Sequence, residues 1–131
     1  MNSGLVLCDD LLFASKITAT ASALGLKVRV ARTPATLMEL SAQERPGGVL
    51  LDLHHPQLNL PELLAALGPV PVVAFGSHVE AATLHSARQA GCSLVLPRSK
   101  FVERLPYDLA KWLGQRSQNA LCADASLLPG N

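Results

Sequence analysis

The sequence predicts a single doubly wound α/β domain, (βα)5, with a parallel five-stranded sheet between two layers of helices. Three observations carry that prediction. Five short apolar runs recur along the chain, and each is followed by a segment with helical periodicity. Three of the runs are almost continuously apolar, as strands covered on both faces are. Strands and helices alternating at this length call for right-handed crossovers, hence parallel strands.

The strands are read at "GLVLC" (4–8), "KVRVA" (27–31), "GVLLDL" (48–53), "PVVAF" (71–75) and "SLVLP" (93–97). The runs at 48–53, 71–75 and 93–97 are the ones expected to be covered on both faces. "KVRVA" alternates, which suits an edge strand. Between them lie the helices. In 11–25, Phe13, Ile17, Ala21 and Leu24 share a face, and Gly25 stands where a helix commonly ends. Thr33 followed by Pro34 gives an N-cap and a first-turn proline. Asn59, with Glu62 three residues on, opens a short helix through Leu67. Ser77 and Glu80 have the spacing of a capping box for a helix running to Gly91. Pro106 places the start of the last helix near Leu105, with Leu109, Trp112 and Leu113 as its buried face.

With 131 residues, of which 49% are hydrophobic, the chain makes one domain with a real core. The domain is read over 1–115. The stretch 116–131 carries no strong pattern and is expected to form a loosely ordered tail. A net charge of +1 without a Lys/Arg cluster argues against nucleic acid as a partner. No apolar stretch approaches the roughly 20 residues that cross a bilayer, and the N-terminus lacks the pattern of a signal peptide. Cys8, Cys92 and Cys122 are odd in number and lack CxxC spacing, which fits reduced thiols and a cytoplasmic home. Charged residues make up 16%, against roughly 25% on average, a weak hint of a homodimer.

In an open parallel sheet, ligands sit beyond the carboxyl ends of the strands where the strand order reverses. With the order 2-1-3-4-5, the first and third strands are neighbours at that point. Asp9 and Asp10 follow the first strand and Asp52 ends the third, so three carboxylates are expected to converge. Like charges that close call for a cation, and an oxygen-rich site suits Mg²⁺. Blander readings exist for each. One of Asp9 and Asp10 is expected to cap the first helix, and Asp52 could be held by Arg98 in a structural ion pair. His54 and His55 read as solvent-facing loop imidazoles, His78 and His85 as exposed, and Cys8 as a small buried hydrophobe beneath the acids.

"VLCDD", "VLLDLHHP", "PVVAFGSHV" and "AGCSLVLPRSKF", in that order, resemble the receiver domain of two-component response regulators, the CheY-like branch of the flavodoxin-like fold. The resemblance covers about residues 4–115. It implies that Asp52 is the phosphoacceptor and that Asp9, Asp10, Asp52 and the main-chain carbonyl of His54 hold Mg²⁺. It implies a histidine kinase or phosphotransfer protein as donor. It also implies a downstream target protein, met by the face of the fourth helix, fifth strand and fifth helix. The sequence departs from the family pattern at the readout. Gly76 stands where a Thr or Ser hydroxyl belongs, with Ser77 beside it as the nearest substitute. Arg98 replaces the family Lys, Ser99 its proline, and Val95 the aromatic switch residue; Lys100 lies two residues beyond Arg98. Two functions therefore follow: a phosphoacceptor in a phosphorelay, or a pseudo-receiver that binds partners without phosphorylation. No P-loop, GxGxxG or nucleophile–histidine pattern supports an enzyme.

Overall fold

The computed structural model describes residues 3–77 and 79–115. The readings for His78, Cys122 and the stretch 116–131 fall outside the described residues. The elements alternate as expected: β1 (Gly4–Leu7), α1 (Leu11–Ala23), β2 (Val28–Ala31), α2 (Pro34–Gln43), β3 (Val49–Asp52), α3 (Leu60–Leu67), β4 (Val72–Gly76), α4 (Ala81–Ala90), β5 (Leu94–Pro97) and α5 (Arg98–Trp112). All strand pairs are parallel, in the order β2-β1-β3-β4-β5.

Strand alternation divides the core in two. Leu5 and Leu7, Val49 and Leu51, and Val72 and Ala74 face α2, α3 and α4, packing on Leu37, Leu63, Leu67 and Leu84. Val6 and Cys8, Leu50, and Val73 and Phe75 face α1 and α5, packing on Phe13, Ile17, Phe101, Leu105, Leu109 and Trp112. Asp52 shares the parity of Leu50, so it leans toward α1 and α5. That orientation decides what the site can contain.

Three caps form as the sequence predicts. The Asp10 carboxylate accepts from the amides of Leu12 and Phe13, Thr33 from Thr36, and Asn59 from Glu62. The close approach of α5 to the strand entrances needs Gly48. A Cβ there would lie 1.9 Å from the Trp112 carbonyl oxygen.

Three expectations are corrected. First, α5 begins at Arg98, directly after β5, and Pro106 lies inside it. Phe101, Leu105, Leu109 and Trp112 bury one continuous stripe, and that burial outweighs the hydrogen bond a proline forfeits. Second, Ser77 does not cap α4. The helix starts at Ala81 with Glu80 at the cap position and no side-chain cap bond. The Ser77 carbonyl instead accepts from Glu80 N at 3.1 Å, and its hydroxyl accepts from Val79 N at 3.3 Å, closing a separate turn. Third, β5 is an edge strand, with Leu94 39% exposed, so it is not covered on both faces. Among the described residues no helix is long and apolar enough to cross a membrane.

Candidate functional site

The carboxyl ends of β1 and β3 lie side by side, with Leu7 opposite Leu51. One step further, Cys8 Sγ lies 3.9 Å from Asp52 Oδ2 and 3.4 Å from the Asp10 carbonyl oxygen. Asp52 is the buried member of the acidic group, its side chain only 6% exposed. Its Oδ1 accepts from His54 N at 2.9 Å and faces Arg98 Nη2 at 3.5 Å. Oδ1 is thus engaged from within the protein, while Oδ2 has the Cys8 sulfur beside it, whose single proton is nearer the Asp10 carbonyl.

Arg98 is the cation of the site. As the first residue of α5 it reaches back over the strand ends, with Nη1 3.9 Å from Asp10 Oδ2 as well. Its guanidinium carbon stands 4.4 Å from the centre of the Phe13 ring and 5.7 Å from that of Phe75. Two carboxylates and two aromatic rings therefore hold one planar cation. Partial burial strengthens both kinds of attraction. Phe75 in turn stacks on Phe101 at 4.3 Å, and Phe101 on Trp112 at 5.2 Å, so the arginine rests on a column of rings.

Asp10 and Asp52 do converge, through Arg98 and Cys8. Asp9 lies apart from that contact: its carboxylate is half exposed and pairs with Arg32 at 3.3 Å. Asp10 spends Oδ1 on the two amides at the start of α1. Among the described residues no group of three or more His, Cys, Asp and Glu side chains is placed to hold a metal ion. With Arg98 in place, Asp9 is drawn to Arg32 and Asp10 and Asp52 to the guanidinium, so the ligand set of Asp9, Asp10, Asp52 and the His54 carbonyl is not gathered on one point as Mg²⁺ requires. Burial, and then the nearby charges of Asp52 and Asp10, push the Cys8 thiol above its ordinary value, so it stays protonated beneath the acids.

The two histidines part company. His54 is exposed, and its Nε2 accepts from Ser77 N at 3.0 Å. The same nitrogen lies 3.5 Å from Glu80 Oε1. While it accepts from Ser77 it carries no proton, so this contact is not an ion pair. His55, expected in solvent, is buried at 7% exposure. Gln57 N donates to its Nδ1 at 3.1 Å, which leaves Nε2–H to donate to the Arg32 carbonyl at 2.5 Å. Two backbone partners offset the cost of burying the ring. His85 is exposed, as expected.

A shallow cavity of about 750 Å³ opens above the pocket, lined by Phe13, His54, Ser77, Arg98, Ser99 and Val102. Gly76 has no hydroxyl to offer, and that of Ser77 is engaged with Val79 and makes no bond to Asp52. Lys100 points away, pairing with Glu103 at 3.4 Å. The residues sequence reasoning missed are Phe13 and Phe75, which carry Arg98, and Arg32, which holds Asp9. The strand parity of Phe75 with Val73 and the place of Phe13 in the first turn of α1 were the available signals.

No family model matches the sequence, and no curated protein matches it. Solved structures do. The signal receiver domain of NarL from Mycobacterium tuberculosis superposes with a TM-score of 0.71 at 23% identity, covering 88% of this chain and 98% of that one. The fold is that of a response-regulator receiver domain. The receiver domain of NtrX from Brucella abortus gives 0.74 at 22% identity, over 86% of this chain and 98% of that one. A response regulator from Burkholderia pseudomallei, solved with a phosphorylated aspartic acid, calcium ion and citrate, gives 0.70 at 21%, over 100% and 75%. On the receiver frame, the Asp52–Arg98 pair occupies the strand-end cleft where that fold binds its ligands.

Proposed function

We propose that this chain is a non-enzymatic receiver-fold signalling module that docks on partner proteins without phosphoryl transfer to Asp52. One observation carries the reading: Asp52 is 6% exposed, its Oδ1 is taken by His54 N and faces Arg98, and the Cys8 sulfur lies over Oδ2. A nucleophile must present a free oxygen in line with the phosphorus and gather a divalent ion beside it. Here the carboxylate is buried, and Arg98 already supplies the positive charge beside it. The readout parts are also absent, since Gly76 has no hydroxyl and the Ser77 hydroxyl is turned to Val79.

Docking draws support from the surface. Leu12 is 85% exposed and Val79 75%, large apolar side chains left to solvent. Partners of such a module are signalling proteins, reached through side chains that phosphorylation does not move.

A phosphoacceptor reading, with a histidine kinase or phosphotransfer protein as donor, keeps one observation in its favour. Asp10 and Asp52 share a single cation, as carboxylates that bind Mg²⁺ together would. Backbone NMR separates the two readings. Beryllofluoride with Mg²⁺ leaves the amide shifts of wild type and Asp52→Asn equally unmoved if the pocket is closed. Shifts around Asp52 in wild type alone would establish phosphoacceptor chemistry.

A further inference from the structure

Arg98 differs from the other ion-paired Lys and Arg side chains among the described residues. Arg32, Lys100 and Arg104 sit on the surface, each against one carboxylate, with side chains 48–60% exposed. Arg98 is 34% exposed and addresses two carboxylates from different strands' ends, one of them buried. At 3.5 and 3.9 Å both contacts are long for hydrogen bonds. The guanidinium is held by charge and by the faces of Phe13 and Phe75.

We infer that Arg98 is the resident counter-ion of the Asp52 pocket, a positioning residue that makes the pocket indifferent to divalent metal. The inference deepens the reading of Asp52 as closed and rests on it. Two carboxylates brought to one cleft repel unless positive charge lies between them. A guanidinium supplies that charge at every physiological pH, because it does not deprotonate. A metal would need to expel it from Asp52 Oδ1, an oxygen already shared with His54 N. Expulsion would also strip the guanidinium from the two rings beneath it. Asp10 could offer little in return, with Oδ1 committed to the start of α1, and Asp9 is paired with Arg32.

Removing the guanidinium reverses the selectivity. Asp52 is then a buried anion with only the His54 amide and the Cys8 thiol for partners, and the cleft between it and Asp10 lies open to a cation. Methionine is the fitting substitute, since its unbranched chain still covers Phe13 and carries no charge.

The experiment is thermal unfolding of wild type and Arg98→Met, each in EDTA and in millimolar Mg²⁺. The wild-type midpoint is expected to be the same in both buffers. The Arg98→Met midpoint falls in EDTA and recovers in part with Mg²⁺, which a merely structural arginine would not produce. A wild-type midpoint that climbs with Mg²⁺, or a variant that ignores it, overturns the inference. If Arg98→Met does not fold, Mn²⁺ is added to wild type and the amide spectrum is followed instead. Unbroadened signals at Asp10 and Asp52 uphold the assignment, and selective broadening there overturns it. Modification of Asp52 by acetyl phosphate in EDTA-treated wild type would defeat the closed-pocket reading while leaving Arg98 as the counter-ion.

Discussion

On one face of the sheet Phe13, Phe75, Phe101 and Trp112 form a run of ring contacts between α1 and α5, with centroids 4.3 to 5.9 Å apart. On the other face the buried contacts are aliphatic: Leu37, Leu51, Leu63, Leu67 and Leu84 meet Ala74, Ala87 and Val95. Along the three central strands both faces are buried, so the difference there is one of chemistry. Aliphatic side chains fill space and offer no electrostatic direction. Rings present negative faces, and the one polar group the sheet sends into that side, Asp52, finds its cation already supported there. The aromatic face is therefore core and site scaffold at once, while the aliphatic face is core alone.

The largest test of this contrast removes a ring. Phe75→Ala takes out a fully buried side chain touching Phe13, Phe101 and Arg98, and is expected to cost about 3–5 kcal/mol by chemical denaturation. It should also shift the Arg98 and Asp52 resonances. Leu51→Ala on the opposite face loses about 2–5 kcal/mol and leaves those resonances in place. Equal disturbance of the site by both variants would erase the distinction between the faces.

Next comes the ion pair. Arg98→Met is expected to destabilise by about 1–3 kcal/mol, less than a fully buried pair because the arginine keeps a third of its surface. Combined with Asp52→Asn, the losses should be smaller than the sum of the single effects, since each variant removes the same contact. Strict additivity in urea unfolding would show that the two side chains do not couple.

A smaller effect is chemical and touches both faces. Cys8 packs in the aromatic cluster and Cys92 against the aliphatic one. Burial raises both thiols, Cys92 from 9.0 to about 11. The unfolded chain then loses these protons first, so stability falls as pH rises from about 9 to about 11. Cys92→Ala should flatten that decline; an unchanged slope would place its origin elsewhere. Smallest of all, Leu12→Ser on the exposed surface is expected to alter stability by less than about 0.5 kcal/mol, because 85% of Leu12 is already in water.

The fold was legible because its signals are local and repeated. Apolar runs of strand length alternate with capped helices, and Thr33, Asn59 and Asp10 cap where their spacing says. Legibility fails where two local rules compete. Pro106 obeys the preference for first turns, yet the stripe from Phe101 to Trp112 carries α5 through it. Ser77 and Glu80 have capping-box spacing, yet the Ser77 amide is drawn to His54 and its hydroxyl to Val79. Within the site, the pairing of Asp52 with Arg98 was one of two readings open to the sequence. What tips the balance is the tilted pair of Phe13 and Phe75 beside the guanidinium, a contact between residues 62 positions apart along the chain and brought together only by the fold. His55 likewise gave no sign of burial, because its partner is the backbone carbonyl of Arg32, which any sequence would supply.

On the proposed reading Asp52 is a carboxylate paired within the protein and withheld from phosphate. Intact-mass spectrometry of wild type incubated with acetyl phosphate and Mg²⁺ examines that state without an intermediary. An unmodified mass is expected, identical in behaviour to that of Asp52→Asn. A phosphoryl adduct on wild type that the Asp52→Asn protein lacks would show the carboxylate to be open after all.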